Sequence, residues 1–364
     1  MDRRTLLKTA IGVSTAAAAG LRLPLAAIAA KTTSDAKWRT FEVVTRVEVI
    51  KPSGVTRAWV PMPLMPDTEY QKSLGQSWSG NAAAMRVHRD ETYGAGIFYA
   101  EWPASESAPV VELVTRFATR DRAVDLSKPG TTPPEDKKVL ALELAPSKFI
   151  ATDGIVRQTA REAIKSARTD LQKARAIYEW IVENTFRDPR TRGCGIGDIK
   201  GMLETRNLGG KCADLNALFV GMARSVGIPA RDVYGVRVAD SAEYKSLGRS
   251  GDITKAQHCR AEFYLAGHGW VPVDPADVRK LVLEEDGGIP LTDPKVQRGR
   301  VKLFGAWEMN WLAYNTAADL KLPNSPGDSI VFFMYPQAET AKDRRDSLDP
   351  DSFHYRLSSR EITA

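Results

Sequence analysis

Cysteine and histidine are scarce in this 364-residue chain: three cysteines (Cys194, Cys212, Cys259) and four histidines (His88, His258, His268, His354). No CxxC pair occurs and the histidines are scattered, which excludes the spacings of a structural zinc site. An odd number of cysteines excludes a fully paired disulfide framework. In an oxidising compartment at least one thiol stays free or pairs with another molecule. No basic run interleaved with aromatics is present, so a nucleic-acid partner is not expected. No EF-hand-like loop is present either. Beyond the first twenty-five residues no segment approaches the ~20 apolar residues of a spanning helix.

What is present is an ordinary globular composition, 43% hydrophobic and 26% charged, which excludes a disordered or fibrous chain. The length suffices for two or three domains with cores of their own. Half of the formal charge of +6 sits in the first thirty residues, where Arg3, Arg4, Lys8 and Arg22 face only Asp2. Those residues read as an export signal. Arg3-Arg4-Thr5-Leu6-Leu7-Lys8 resembles the twin-arginine motif, an apolar stretch follows to about Leu25, and Ala27-Ile28-Ala29 offers small residues for cleavage. An uncleaved anchor is the alternative; Gly12, Gly20, Arg22 and Pro24 make the stretch a poor one. The expectation is export by the twin-arginine route to a bacterial periplasm, with membrane contact only during export.

Residues 31–127 predict a β-sandwich-like domain. Phe41–Ile50, Arg57–Pro61 and Val110–Phe117 favour β-branched and aromatic residues and are punctuated by Pro52-Ser53-Gly54 and Gly94-Ala95-Gly96. Lys128-Pro129-Gly130-Thr131-Thr132-Pro133-Pro134 reads as a linker. A second domain over 135–300 begins with helices. Asp153 is placed to cap one through about Ala167, and Asp170 another that carries Ala174, Ile177, Tyr178 and Ile181. From Cys212, Leu215, Leu218, Phe219, Met222, Ala223 and Val226 form one apolar stripe, ended by Gly227 and Pro229. Strands are expected at 230–238, 258–265 and 270–273. Helices followed by strands argue α+β rather than alternating βαβ. Residues 301–364 form a C-terminal extension to which no role is assigned.

Cys212 follows Gly209-Gly210 and opens its helix. The positive end of the helix dipole and the unpaired N–H groups there favour a thiolate, the form that acts as a nucleophile. A buried, inert cysteine is the commoner fate of the residue type. Strand alternation puts His258, Arg260, Glu262 and Tyr264 on one face and Cys259, Ala261, Phe263 and Leu265 on the other, so Cys259 reads as core, pointing away from His258. If Leu265–Gly269 is the loop of a hairpin, Tyr264 opposes Trp270, Arg260 opposes Asp274, and Asp274 lies diagonal to His258 at ~7–8 Å. A slip of one residue would turn Asp274 to the other face. Alone, His258 could be a surface histidine and Asp274 a turn former before Pro275. Together they have a chemical logic: a thiol needs a base, and the base needs an orienting partner.

Three stretches resemble the transglutaminase-like family. The cysteine motif is Gly210-Lys211-Cys212-Ala213-Asp214-Leu215-Asn216-Ala217-Leu218-Phe219 with Ala223-Arg224 and Gly227-Ile228-Pro229-Ala230-Arg231. His258 with Glu262 resembles the histidine strand, and Gly269-Trp270-Val271-Pro272-Val273-Asp274-Pro275 the aspartate motif, in the family's order. Trp59-Val60-Pro61-Met62-Pro63 resembles the domain that often precedes this core in bacterial members. The resemblance implies a papain-like core, a helix carrying Cys packed on an antiparallel sheet carrying His and Asp. It implies a catalytic triad of Cys212, His258 and Asp274, a thioester formed from a peptide or protein amide, and no cofactor or metal. Where members often carry His-Ala-Trp, this chain has His258-Cys259-Arg260. Arg260 is therefore expected either to hold a substrate carboxylate or to pair with Glu262 at the surface. For the oxyanion donor, Tyr178, Trp180 and the Cys212 backbone N–H are candidates, the last the safest. Cys194, in the glycine-rich loop 192–198, reads as free or buried, with a reversible bond to Cys212 as the alternative.

Overall fold

Strand alternation and helical periodicity emerge as separate layers in the computed structural model, which describes residues 36–362. The expected export signal of residues 1–30 lies outside them. Arg39–Val49 pairs antiparallel with Val110–Thr119 on one side and with Phe353–Glu361 on the other. Gln71–Gly80 and Gly251–Asp252 complete this five-stranded sheet. A four-stranded sheet joins Thr56–Pro61, Ala84–Arg89, Gly96–Trp102 and Gln337–Glu339. Phe41, Val43 and Phe117 of the first sheet share one buried cluster with Val60, Phe98 and Trp102 of the second, which makes the pair a sandwich.

The sandwich is not confined to residues 31–127. Two of its strands come from the last sixty residues, so the segment expected to be an extension closes the sandwich. Trp311–Asn315 from the same segment also joins the second domain's sheet. Pairing between strands this far apart in sequence leaves no local trace, because each strand alternates in the same way whichever partner it finds.

The second domain has the α+β order expected. Its sheet runs Gly269–Val273, Gln257–Leu265, Ala230–Arg237, Trp311–Asn315, all antiparallel. Gly154–Ala163 is a shorter helix than expected. Asp170–Asn184 is capped one residue earlier than expected, by Thr169, whose side chain and that of Gln172 form a reciprocal capping box. The helix Cys212–Ser225 begins where its stripe predicts, but is buried around its whole circumference from Cys212 to Arg224. Phe219 meets Phe263 of the sheet at 6.1 Å between ring centroids. The polar residues that would have faced water are instead bonded inward. Arg224 bridges Glu143 at 2.6 Å and the Ala230 carbonyl at 2.7 Å, and Asn216 donates to the Cys259 carbonyl at 2.8 Å. Buried polar groups are tolerated on those terms.

Candidate active site

Backbone chemistry at the start of the cysteine helix fixes Cys212. Lys211 is extended and precedes the first turn. Its N–H donates to Asp214 Oδ2 at 3.0 Å, and the Ala213 N–H donates to the Cys194 carbonyl at 2.9 Å. Asp214 Oδ1 accepts from Ile196 and Gly197 N–H, both at 3.0 Å. The loop 192–198 is therefore clamped to the helix. Gly195 (φ +92°) is required there, since a Cβ would lie 1.9 Å from Asp214 Oδ2. Among the described residues no acceptor meets the Cys212 N–H, an open donor at the positive end of the helix.

The hairpin has the register in which Tyr264 opposes Trp270. Continued by one pair past Ala261 and Val273, it delivers Asp274 beside His258 on the same face. His258 Nε2 lies 2.8 Å from Asp274 Oδ2, which leaves Nδ1 for the thiol. Asp274 is also the N-cap of the helix Pro275–Glu284, its Oδ1 accepting from the Asp277 N–H at 3.0 Å and from Asn216 Nδ2 at 3.2 Å. The cysteine helix thus holds the carboxylate that holds the histidine.

A second carboxylate escaped the sequence reading. Asp277 Oδ2 stands 3.4 Å from His258 Nε2, and Arg237 grips both Asp277 oxygens at 2.6 and 2.8 Å. Asp274-Pro275-Ala276-Asp277 is a helix-start pattern of cap, proline and first-turn acid, and it would have placed Asp277 one turn from Asp274. Arg237 had no such signal, because its place depends on Gly235 standing opposite His258.

Burial and then Arg237 push His258 toward neutrality, but Asp277 and Asp274 outweigh them and raise it to about 10. The Cys212 thiol is held well below its ordinary value, first by a hydrogen bond from Cys194, then by Cys259, against burial, with His258 adding its own bond and charge. Cys194 and Cys259 are pushed the other way and remain thiols. Both shifts favour the proton on the imidazole over the sulfur. Burial raises Asp277, yet Arg237 and His258 hold it well below the usual carboxylate range; burial and the charge of Asp277 push Asp274 up. Ligand atoms of His258, Asp274 and Asp277 lie within 4.8 Å of one another and could in principle grip a cation. Arg237, and Arg260 with Nε 3.7 Å from Asp274, already balance both carboxylates, so the donor set is that of an ion-pair network.

Arg260 corrects the sequence reading. It is buried, lies outside the cleft lining, and does not pair with Glu262. Its guanidinium stacks over Trp311 (4.7 Å) and Trp307 (5.5 Å) and donates to the Glu308 carbonyl at 2.9 Å. The segment that covers this face of the sheet comes from beyond residue 300, which is why the face read as open. Glu262 pairs instead with Arg122 and Arg231. Cys259 is core, as expected, and is also a polar neighbour of the Cys212 sulfur. Cys194 is buried beside Cys212, its Sγ 3.2 Å from the Gln257 carbonyl, and all three cysteines are unbridged. Tyr178 donates to the Arg300 carbonyl at 2.8 Å and Trp180 packs in the helical core; neither lines the cleft.

A cleft of about 760 Å³ opens onto Cys212 and His258. Tyr335, Leu348, Phe353 and Tyr355 contribute to its lining, so the C-terminal segment also builds part of the site. Among the described residues no helix is long and apolar enough to cross a membrane.

Comparison with known proteins agrees with this architecture. The transglutaminase-like superfamily matches residues 157–275, the span that carries Cys212, His258 and Asp274. An uncharacterised protein of Haemophilus influenzae is 36% identical over 341 residues, which cover 88% of this chain and 91% of that protein. A crystal structure of a candidate cysteine protease from Cytophaga hutchinsonii shares the fold at a TM-score of 0.51 and 16% identity, over 89% of this chain and 98% of that one. The periplasmic domain of TgpA from Pseudomonas aeruginosa aligns with 68% of this chain and 91% of its own, at a TM-score of 0.35 and 15% identity, too low to bear on the fold. Its sequence match and its helix-on-sheet core together make this chain a member of the transglutaminase-like superfamily.

Proposed function

We propose that the protein is a cysteine-dependent acyl-transfer enzyme that hydrolyses peptide-like amides through a thioester on Cys212. The observation that carries this reading is the buried Cys212–His258 pair, in which two carboxylates on the histidine hold the proton away from the sulfur. The thiolate attacks the amide carbonyl carbon, and the oxyanion takes a hydrogen bond from the open Cys212 N–H. The His258 imidazolium gives its proton to the leaving amine as the C–N bond breaks, leaving the thioester and a neutral imidazole. That imidazole then removes a proton from water. The hydroxyl adds to the thioester carbonyl, the C–S bond breaks, and carboxylic acid and thiolate are released with the proton back on His258. Asp274 and Asp277 orient the ring and stabilise its charge. In this scheme no cofactor takes part.

Protein cross-linking would need an amine in place of water. A lysine ammonium would have to enter a cleft whose charged side chains are mostly cations, and this favours water. The export-signal pattern of residues 1–30 favours a peptide or protein substrate met in the periplasm. A non-catalytic binding protein on the same fold would keep Cys212 no more reactive than a free small-molecule thiol. The test is the pH dependence of Cys212 alkylation by iodoacetamide, beside His258→Ala. Rapid labelling at neutral pH that collapses in the variant supports the enzyme. Slow labelling with an ordinary thiol profile, untouched by the variant, would sink it.

A further inference from the structure

The charge of the cleft is out of proportion to that of the chain. Eight Lys or Arg side chains line it against one carboxylate, Glu284. Two of the eight are neutralised from behind, Arg237 by Asp277 and Arg192 by Asp346. Arg187 and Lys280 share Glu284 between them. Among the described residues Lys211, Lys245, Arg249 and Lys255 have no carboxylate within ion-pair distance. Lys211 Nζ donates to the Thr191 carbonyl and Arg249 Nε to the Asp252 carbonyl, bonds that leave both charges uncompensated. Five net positive charges therefore surround the path to Cys212. Beyond residue 30 the whole chain carries only half of the formal +6, so the excess is gathered at this cleft rather than spread over the surface.

Like charges crowded around one opening cost stability through mutual repulsion, and a low-dielectric cleft focuses their field on whatever enters. Lys245, Arg249 and Lys255 are exposed and Lys211 is half-buried, four separate side chains along the cleft. They do not form a single fork closing on one anion, and they match several negative groups distributed along an extended ligand. With Cys212 as an acyl-transfer nucleophile, the group that reacts at the bottom is a carbonyl carbon. From this geometry we infer that the substrate is an acidic peptide, an acyl donor carrying carboxylates on either side of the amide that Cys212 attacks. The inference rests on the reading of Cys212 as the nucleophile. Lys211, Lys245, Arg249 and Lys255 bind and steer the carboxylates and take no part in bond making.

The test compares two alkylating agents that react by the same displacement, neutral iodoacetamide and anionic iodoacetate. Relative to a free small-molecule thiol, Cys212 should favour iodoacetate by roughly tenfold, at the low end of electrostatic enrichment in a charged cleft. The preference should vanish at about 1 M salt, where the screening length falls to about 3 Å. It should invert in Lys245→Glu/Arg249→Glu/Lys255→Glu, read as the ratio of the iodoacetate to the iodoacetamide rate, so that a change in the reactivity of the thiolate itself cancels. Oligo-glutamate should protect Cys212 from iodoacetamide at low salt, and oligo-lysine should not. Rapid labelling by both agents with no preference for the anion overturns this inference and leaves the proposed enzyme standing; slow labelling by both removes the enzyme and the inference with it. Protection by an oligodeoxynucleotide but not by oligo-glutamate overturns the acidic-peptide assignment in favour of a phosphate polyanion.

Discussion

At one end of the strand Gln257–Leu265, His258 lies between Asp274 and Asp277; four residues on, Glu262 lies between Arg122 and Arg231. Both groups are almost wholly buried and share a face of the sheet. Around Glu262 the compensation is closed. Arg231 Nη2 bonds it at 2.6 Å and stacks on Trp270 at 3.8 Å, while Arg122, also bonded to it, lies over Tyr70 and Trp307 at 4.5 and 4.9 Å. Burial raises Glu262, but the two guanidiniums hold it below its ordinary value. At His258 the same ingredients stay open on one side, toward Cys212 and the cleft. A sealed ion group fastens the linker side of the sandwich, through Arg122, to the sheet. An open one favours a proton on nitrogen over sulfur. Access decides which of the two a buried charge network becomes.

The largest effect is expected from His258→Ala. Cys212 alkylation and amide turnover at neutral pH should fall by about 10²–10⁴, the usual worth of a positioned acid–base. Glu262→Ala leaves two guanidiniums buried without a carboxylate. It should destabilise the fold by about 3–5 kcal/mol in denaturant titration while the pH profile of Cys212 alkylation stays put. A shifted profile would mean that the two assemblies are not separate.

Asp277→Asn removes a charge that raises His258. In the native protein the His258 ring, followed by NMR, should titrate near pH 10, and in the variant at lower pH. The stabilisation linked to that proton is complete below 6.5 and is lost as pH rises through the folded value, so the variant should lose it earlier on the way up. An unmoved midpoint would leave Asp274 alone as the partner. Asp232 supplies a smaller contrast, a buried carboxyl on the adjacent strand with both oxygens unpartnered. Burial pushes it well above the usual range, so it gives up its proton more readily on unfolding than when folded. Its protonated form favours the fold only below about pH 3.9 and counts against it as pH rises. Asp232→Asn should therefore raise the melting temperature at pH 7, by about 1 kcal/mol of stability, and change little at pH 3.

Local signals carried much of the second domain. The start of the cysteine helix, the hairpin register and the side of the strand that holds His258 each follow from periodicity and turn chemistry within about twenty residues. Asp277 was within reach of the same reasoning, through the helix-start pattern at Asp274. Arg237 and the cover over Arg260 were not. They depend on which strand lies beside Gln257–Leu265 and on residues near 310 folding back over its face. The role of the last sixty residues was hidden for the same reason, since Phe353–Glu361 alternates alike whether it sits at an edge or, as here, between Arg39–Val49 and Gly251–Asp252.

By itself the sequence determined the cysteine helix, the hairpin and the meeting of Cys212, His258 and Asp274, because helical and strand periods and short turns act over a few residues. Tertiary structure alone decided that Arg260 is a buried support, that Arg237 balances Asp277, that Cys194 and Cys259 lie beside Cys212, and that cations gather at one cleft. Those outcomes turn on burial and on distances between residues far apart in the chain, and the free energy of a charge depends on both.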